Sequence, residues 1–525
     1  MNRNEHGALD RYDAWLSGLI FLLALALYIR TLTPGLLPGD SGEFQTLALL
    51  LGDTHPTGYP VYLTLARLVL FLPLHDIAWR VNLFSAMMGA LAVAGLYLAA
   101  RMLIRYRLLA LMGALMLAIS PTFWSQAIIA EVYAPGAAFL ILILALLLWW
   151  DQHPARWALF TAGMLGGLSL GMHMTVALVA PAVLLFLALH WRRGRRMWMT
   201  ALAGAAAGLL LSLLLFLMID WHNPPANYFH AIIEPSLSAW GLTPADLNAP
   251  WERLWFGWSA QQFRPFMFQA EVFGQQADQF WQGLPAELGA VTPWLALVGG
   301  IYLLWRRPRA GLLLLTALAL ELLFVFTYAI WDLYVFFIPG YLLISLLAVI
   351  GLAVVVDAIV WMGNRFAQDG VPTWLTGAAQ GLLAILLMAL VVWPTFQPQM
   401  EAVVAGDIPF DFDEYPAYDP QLLPLAQLTV TKLPTNAILF TDWDQVWPYF
   451  YAAHIVEDRR DLLFVETHPR DDVPGLAHSV IDYINARMDA HPIFFAEREP
   501  ELRQAGFRLR PVKVGPQRFY FVEKP

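Results

Sequence analysis

The sequence predicts an α-helical polytopic membrane protein that ends in a small α/β domain outside the bilayer, and three observations predict it. First, of its 525 residues 59% are hydrophobic and only 14% charged, with a mean hydropathy of +0.57. A soluble globular chain carries about 25% charged residues to cover its surface. This chain has too few, so most of its surface faces lipid. Second, apolar runs of spanning length recur between residues 14 and 393. Third, beyond about residue 394 those runs shorten while Pro, Asp and Glu increase, which divides the chain into 1–393 and 394–525.

Composition also excludes whole classes. The formal net charge of −9 is spread without long acidic runs, and no basic tract interleaved with aromatics points to nucleic acid. Cysteine is absent, which removes disulfides, Cys-ligated zinc and thiol catalysis together.

The first run, 14–32 (AWLSGLIFLLALALYIRTL), follows Arg3 and Arg11. It is long for the apolar stretch of a signal peptide and lacks a small-x-small cleavage site, so it reads as a retained first helix. A spanning helix needs about 20 largely apolar residues. Further candidates lie near 81–100, 108–120, 134–150, 157–171, 175–190, 198–219, 291–305, 311–330, 335–360 and 374–393, about eleven spans in all.

Lys/Arg bias orients them. Arg3 and Arg11, Arg101, Arg105 and Arg107, Arg156, Arg192, Arg193, Arg195 and Arg196, Arg306, Arg307 and Arg309, and Arg365 fall in one set of alternate connections. That set is expected in the cytoplasm, so the N-terminus is cytoplasmic and 394–525 extracytoplasmic, in a multi-pass plasma-membrane protein. The opposite connections include two long ones, 33–80 and 220–290, and long connections usually carry function. Within the first, 61–72 (VYLTLARLVLFL), apolar with the interior Arg67, reads as an interfacial helix.

In the tail, 437–441 (AILFT), 461–466 (DLLFVE), 492–496 and two segments within 506–522 read as strands, and 446–455 and 478–488 as helices. About 100 residues suffice for a core of their own.

The first long connection, PGLLPGDSGEFQTLALLLGDTHPTGYPVY, holds the best candidates. Asp40 suits a general base facing a membrane cavity. Asp40-Ser41-Gly42-Glu43 also has capping-box spacing, with Asp40 as N-cap and Glu43 reaching back. His55, in a turn enforced by Pro56, Gly58 and Pro60 before Tyr59, is either a head-group or proton-transfer residue or simply part of the turn. Polar residues recur at other helix ends: Arg80 and Asn82, Gln126 and Glu131, His173, and Asp332. Each is an interface anchor or a cap in the plain reading. Arg80 would additionally suit a phosphate, to which guanidinium offers paired donors. Trp221, Tyr228, Trp240, Trp251, Trp255 and Trp258 are either sugar-stacking rings or an interfacial belt. Glu321 and Asp357 are the ionisable residues within the runs, expected near cytoplasmic helix ends. No paired Gly/Pro-broken helices are discernible, which counts against transport.

Several segments resemble the membrane family known as domain of unknown function 2723, which is similar to the plexin-type protein O-mannosyltransferases. They are GDSGEFQTLALLLGDTHPTGYPVY (39–62), RVNLFSAMMGAL (80–91), SPTFWSQAIIAEVYAP (120–135), GGLSLGMHMT (166–175), DLYVFFIPGYL (332–342) and NAILFTDWDQ (436–445). The resemblance implies a C-type glycosyltransferase fold. It also implies transfer of a sugar, such as mannose, from a polyprenyl-phosphate donor to a hydroxyl acceptor on the outer face, by direct inverting displacement. Asp40 would then be the base, with Glu43 orienting the acceptor or tuning Asp40. His55, Tyr59, Arg80, Asn82, Glu131, His173 and Asp332 would bind substrate. No cofactor or metal ligand set is expected, the lipid-phosphate sugar being a substrate. Relatives that modify proteins carry an adjacent Asp-Glu pair, whereas here the acids stand three apart. The acceptor is therefore open among protein, glycan and lipid. Two other classes stand beside the enzyme: a glycolipid flippase, whose transport would survive loss of Asp40, and a non-catalytic envelope assembly factor docking through the C-terminal domain.

Overall fold

The computed structural model describes residues 9–366, 373–405, 418–470, 473 and 475–524. Arg3, and the 406–417 part of the link between the two domains, lie outside the described residues. The chain opens with α1 (Arg11–Arg30); the first long connection carries α2 (Gly39–Leu50) and α3 (Pro60–Val69). Then come α4 (Ile77–Leu103), α5 (Arg107–Ala118), α6 (Pro121–Ala127), α7 (Tyr133–Gln152), α8 (Arg156–Met172), α9 (Ala180–Ala188) and α10 (Arg195–His222). The second long connection holds α11 (Pro250–Trp258) and α12 (Phe273–Leu288). The bundle closes with α13 (Thr292–Arg306), α14 (Pro308–Phe326), α15 (Ile338–Phe366) and α16 (Thr373–Ala405).

Each predicted run coincides with a helical segment. By length and composition, however, six helices among the described residues can cross a membrane, or up to eight if each bent pair counts as one span. The difference from eleven lies partly in short elements: α8 has 17 residues, and the run at 175–190 is a 3-10 turn, Met174–Val179, leading into α9. The bent pairs also correct the expectation of unbroken helices. α5 and α6 meet at 69° where Pro121 starts a new helix, and Ala270–Leu288 meets α13 at 97°. Proline has no N–H to continue the preceding ladder, and Gly289, at φ +89°, ends α12 in a conformation other residues avoid.

α8 and α10 pack backbone against backbone. A methyl at Gly208 would meet the Met164 carbonyl oxygen, and one at Gly167 the Ala205 carbonyl. Small residues four apart on both helices (Gly163 and Gly167, Gly204 and Gly208) let the backbones approach, the usual solution where lipid competes for large side chains.

Arginines from several connections gather at one end of this bundle. Asp13 is fully buried there and accepts from Arg101 (2.8 Å), Arg107 (3.0 Å) and Tyr97 (2.9 Å), while Arg105 pairs with Asp357 (2.7 Å) and Arg307 donates to the Met102 carbonyl (2.8 Å). Asp357 thus sits at the arginine-rich end as expected. Glu321 does not: it lies five residues before the opposite end of α14, at Phe326, and is 2% exposed.

The C-terminal module begins with α17 (Leu422–Val430) and β1 (Ile438–Thr441), followed by α18 (Trp443–Phe450), β2 (Leu463–Glu466), α19 (His478–Arg487) and β3 (Ile493–Phe495). A hairpin of β4 (Arg508–Val514) and β5 (Gln517–Glu523) completes it. The sheet order is β2-β1-β3-β5-β4, with β2, β1 and β3 parallel and β5 antiparallel to both β3 and β4. All four β1 residues are buried, as befits a central parallel strand covered on both faces, whereas β4 alternates and exposes charge at the sheet edge. α18 starts earlier than predicted because Asp442 caps it, accepting from the Gln445 amide at 2.9 Å.

This module sits on both long connections. Thr46 donates to the Trp447 carbonyl (3.3 Å), the Ala78 amide to the Tyr451 hydroxyl (3.2 Å), and Arg487 to Glu234 (2.6 Å).

Candidate active site

Asp40 is where the local geometry departs most from the sequence expectation. α2 starts one residue before it, at Gly39, with Pro38 as N-cap and no side-chain cap. Gly39, at φ +60°, makes the turn, so Asp40 and Glu43 form no capping box. Asp40 is thereby left with its side chain 43% exposed. Glu43, one turn on, points inward and is fully buried.

The buried carboxylate holds His55. The backbone amide of His55 donates to Glu43 Oε1 at 2.9 Å, and its Nδ1 bonds Glu43 Oε2. The other ring nitrogen, Nε2, lies 3.7 Å from Asp40 Oδ2. Burial alone would push the imidazole down, but the Glu43 and Asp40 carboxylates outweigh it and hold it up, at about 9. Burial also raises Glu43. With two carboxylates against one imidazole, the proton rests on His55. The second oxygen of Asp40, Oδ1, accepts from the indole Nε1 of Trp443 at 2.9 Å.

These groups open on a cavity of about 700 Å³ between the bundle and the C-terminal module. Of the predicted site residues, Asp40, His55, Tyr59, Glu131, His173 and Asp332 line it. Ser41 donates to Glu131 at 3.3 Å, tying α2 to the loop before α7. His173 shares a hydrogen bond with Thr175 (2.8 Å) and stacks on Tyr59 (6.5 Å, 20°), while burial and the charge of His55 hold it down near 3, hence neutral. Tyr133 donates to Asp332 at 3.5 Å. Below, Glu321 borders an annex of about 10 Å³ that shares Tyr133, His173 and Thr175 with the main cavity.

Three predicted residues do not line it. Glu43 stands behind His55, bonded to its amide and ring and away from the cavity. Arg80 donates to the carbonyls of Leu70 (2.6 Å), Leu72 (3.0 Å) and Asp76 (3.1 Å), so its guanidinium ties off the end of α3 instead of awaiting a phosphate. Asn82 is fully buried, accepting from Gln45 (2.9 Å) and donating to the Thr33 carbonyl (2.9 Å). Gln45 in turn accepts from the Leu37 amide (2.9 Å), so Asn82 braces the turn that presents Asp40.

The remaining wall went unread in the sequence. Trp443, Asp444, Glu466, His468 and Arg470 reach it from the C-terminal module. Arg470 donates to the Ala239 carbonyl (3.0 Å) and lies 5.4 Å from the centre of the Trp240 ring. Trp443 and Asp444 fall within NAILFTDWDQ, the sequence signal that existed; nothing local marks the other three. Of the aromatic residues singled out in 220–290, Tyr228 and Trp240 line the cavity, joined there by Phe263, Phe266 and Phe268, whereas Trp221, Trp251 and Trp255 are 88%, 67% and 64% exposed on the outside, as an interfacial belt would be. Among the described residues, no three acidic or histidine side chains converge to hold a metal ion.

The fold is that of the C-type glycosyltransferases. Superposition on ArnT from Cupriavidus metallidurans bound to undecaprenyl phosphate gives a TM-score of 0.54, covering 97% of this chain and 98% of that one at 14% identity. The apo form of the same protein gives 0.52, covering 98% of each chain at 14% identity. Residues 40–198 match the Protein O-mannosyl-transferase TMEM260 N-terminal domain, a segment that begins at Asp40 itself. Protein O-mannosyl-transferase TMEM260 of Mus musculus is 31% identical over 156 residues, which are 30% of this chain and 22% of that protein. Its Dictyostelium discoideum counterpart is 28% identical over 137 residues, 26% of this chain and 17% of that protein. The matches thus span about a fifth of these relatives.

Proposed function

We propose that the chain is an inverting glycosyltransferase that moves a sugar from a polyprenyl-phosphate donor to a hydroxyl acceptor, with Asp40 as base. The observation that carries this is the Asp40 carboxylate: half exposed to a 700 Å³ cavity, and flanked by His55 and Trp443. The names of the mouse and Dictyostelium relatives support mannose as the sugar and a protein hydroxyl as acceptor, and the lipid in the ArnT complex supports the donor class. The lysine/arginine distribution supports a cavity on the outer side of the cell membrane.

Asp40 takes the acceptor hydroxyl proton as the acceptor oxygen attacks the anomeric carbon. The bond from that carbon to the phosphate oxygen breaks on the opposite face, and the lipid phosphate leaves with the electron pair. Charge builds on that phosphate, and Arg470, which lines the cavity, meets it. Charged His55 balances the two carboxylates beside it. The lipid-linked sugar is the substrate, and no resident cofactor takes part.

The test uses purified protein in detergent with a panel of radiolabelled polyprenyl-phosphate sugars and hydroxyl acceptors. Asp40→Asn keeps an acceptor for the Trp443 N–H but removes the base, so transfer is expected to fall by about 10²–10⁴-fold in a folded protein. Retained transfer would return Asp40 to a structural role. Lipid movement without transfer would favour the flippase, and neither activity the assembly factor.

A further inference from the structure

We propose that Trp443 is a positioning residue for the Asp40 base, so that the membrane half holds a complete active site only when the C-terminal module is docked on it. The inference rests on the reading of Asp40 as base.

Indole Nε1 is a donor and nothing else. Its N–H meets Asp40 Oδ1 at 2.9 Å across 403 residues of chain, and it is the hydrogen-bond donor to that side chain among the described residues. The other oxygen, Oδ2, faces His55 Nε2 at 3.7 Å. One oxygen is therefore pinned while the second keeps lone pairs for an incoming hydroxyl proton.

Packing aims the indole. Its ring stands edge-on to His55 (6.2 Å, 83°), Tyr228 (6.2 Å, 77°) and Trp447 (5.7 Å, 88°), which come from the first connection, the second connection and α18. Trp443 is the first residue of α18, whose start is fixed by the Asp442 cap. α18 itself is locked onto α2: Trp447 is fully buried, its carbonyl accepts from Thr46, and a methyl at Gly42 would stand 3.4 Å from Trp447 Cβ. Rotation or withdrawal of the module would move the N–H away from the carboxylate. A misplacement of about 1 Å in such a group costs on the order of 10²-fold in rate.

Full-length Trp443→Phe keeps a ring for the three edge contacts and deletes only the N–H. Transfer kinetics should show kcat down about 10- to 100-fold with the donor KM within about twofold, and an unchanged thermal midpoint. In an Asp40→Asn background the same substitution should cost no more than about twofold, because the group it orients is gone. Trp443→His, which restores a ring N–H, should recover part of the lost kcat. Wild-type kcat in Trp443→Phe, a raised KM with kcat intact, or an equal loss in the Asp40→Asn background would each overturn the proposal. Failure of the base reading shows separately, as transfer surviving in Asp40→Asn with Trp443 intact.

Discussion

Glu43 accepts two hydrogen bonds from one residue, His55: from its backbone amide at 2.9 Å and from its ring Nδ1. A fully buried carboxylate thus fixes both the chain path and the ring orientation of the histidine that faces Asp40. Removing one partner of such a buried pair strands the other. Glu43→Ala is expected to destabilise the protein by roughly 3–5 kcal/mol in detergent unfolding. Transfer should also fall by about tenfold or more through the misplaced imidazole.

The same pair sets a pH response. His55 is raised to about 9 in the folded protein against an ordinary value near 6.5. Its contribution is therefore complete below about pH 6.5 and is lost as pH rises through 9. The thermal midpoint of wild type should fall across that window, and His55→Phe should flatten the curve there. An identical slope in both proteins would assign the proton elsewhere.

Asp53 works with the opposite sign. It is 2% exposed, accepts from Asn227 at 3.3 Å, and is held up at about 7 by its burial and then by Asp220. Because folding disfavours its charged form, wild type loses stability as pH climbs from about 4 to 7. Asp53→Asn should be more stable than wild type at pH 8, by on the order of a few kcal/mol, with the gain vanishing below about pH 4. Paired melting curves at pH 4 and pH 8 decide it.

Two arginines give opposite expectations for donor binding. Arg80 bonds three backbone carbonyls, so Arg80→Gln should leave undecaprenyl phosphate affinity within about twofold while lowering stability by about 1 kcal/mol. Arg470 lines the cavity, and Arg470→Gln should weaken that affinity by about 10- to 100-fold. Direct lipid-phosphate titration of both variants compares them, and the reverse ranking would move the phosphate site.

At the arginine-rich end, Asp13 answers both Arg101 and Arg107, with Arg101 only 4% exposed, while Asp10 also accepts from Arg107 at 2.6 Å. Asp13→Ala should cost roughly 3–5 kcal/mol without changing substrate affinity. A variant as stable as wild type would show that the arginines find other acceptors.

Much of this was readable along the chain because it depends on local periodicity and composition. The predicted helical runs and the five strands of the module each follow from patterns within a few residues, whereas the Gly39 turn that presents Asp40 stands where the spacing suggests a capping box. The eleven-span count was not as secure, since α8 and the 174–188 segment are short and Pro121 and Gly289 break two others. Arg80 and Asn82 looked like ligands because sequence shows a side chain's chemistry but not its partners, which lie ten residues back at Leu70 and across the bundle at Thr33 and Gln45.

The sequence by itself determined the membrane class and the change of character near residue 394, and it pointed to Asp40 as the place to look. Only the tertiary structure decided that Glu43 holds His55 from behind, that Glu321 borders the cavity's annex rather than the arginine-rich end, and that Trp443 and Arg470 join the cavity wall. The physical reason is that a hydrogen bond acts over about 3 Å of space whatever the separation along the chain. Asp40 and Trp443 meet at 2.9 Å although they stand 403 positions apart in the chain, and no local pattern encodes that meeting.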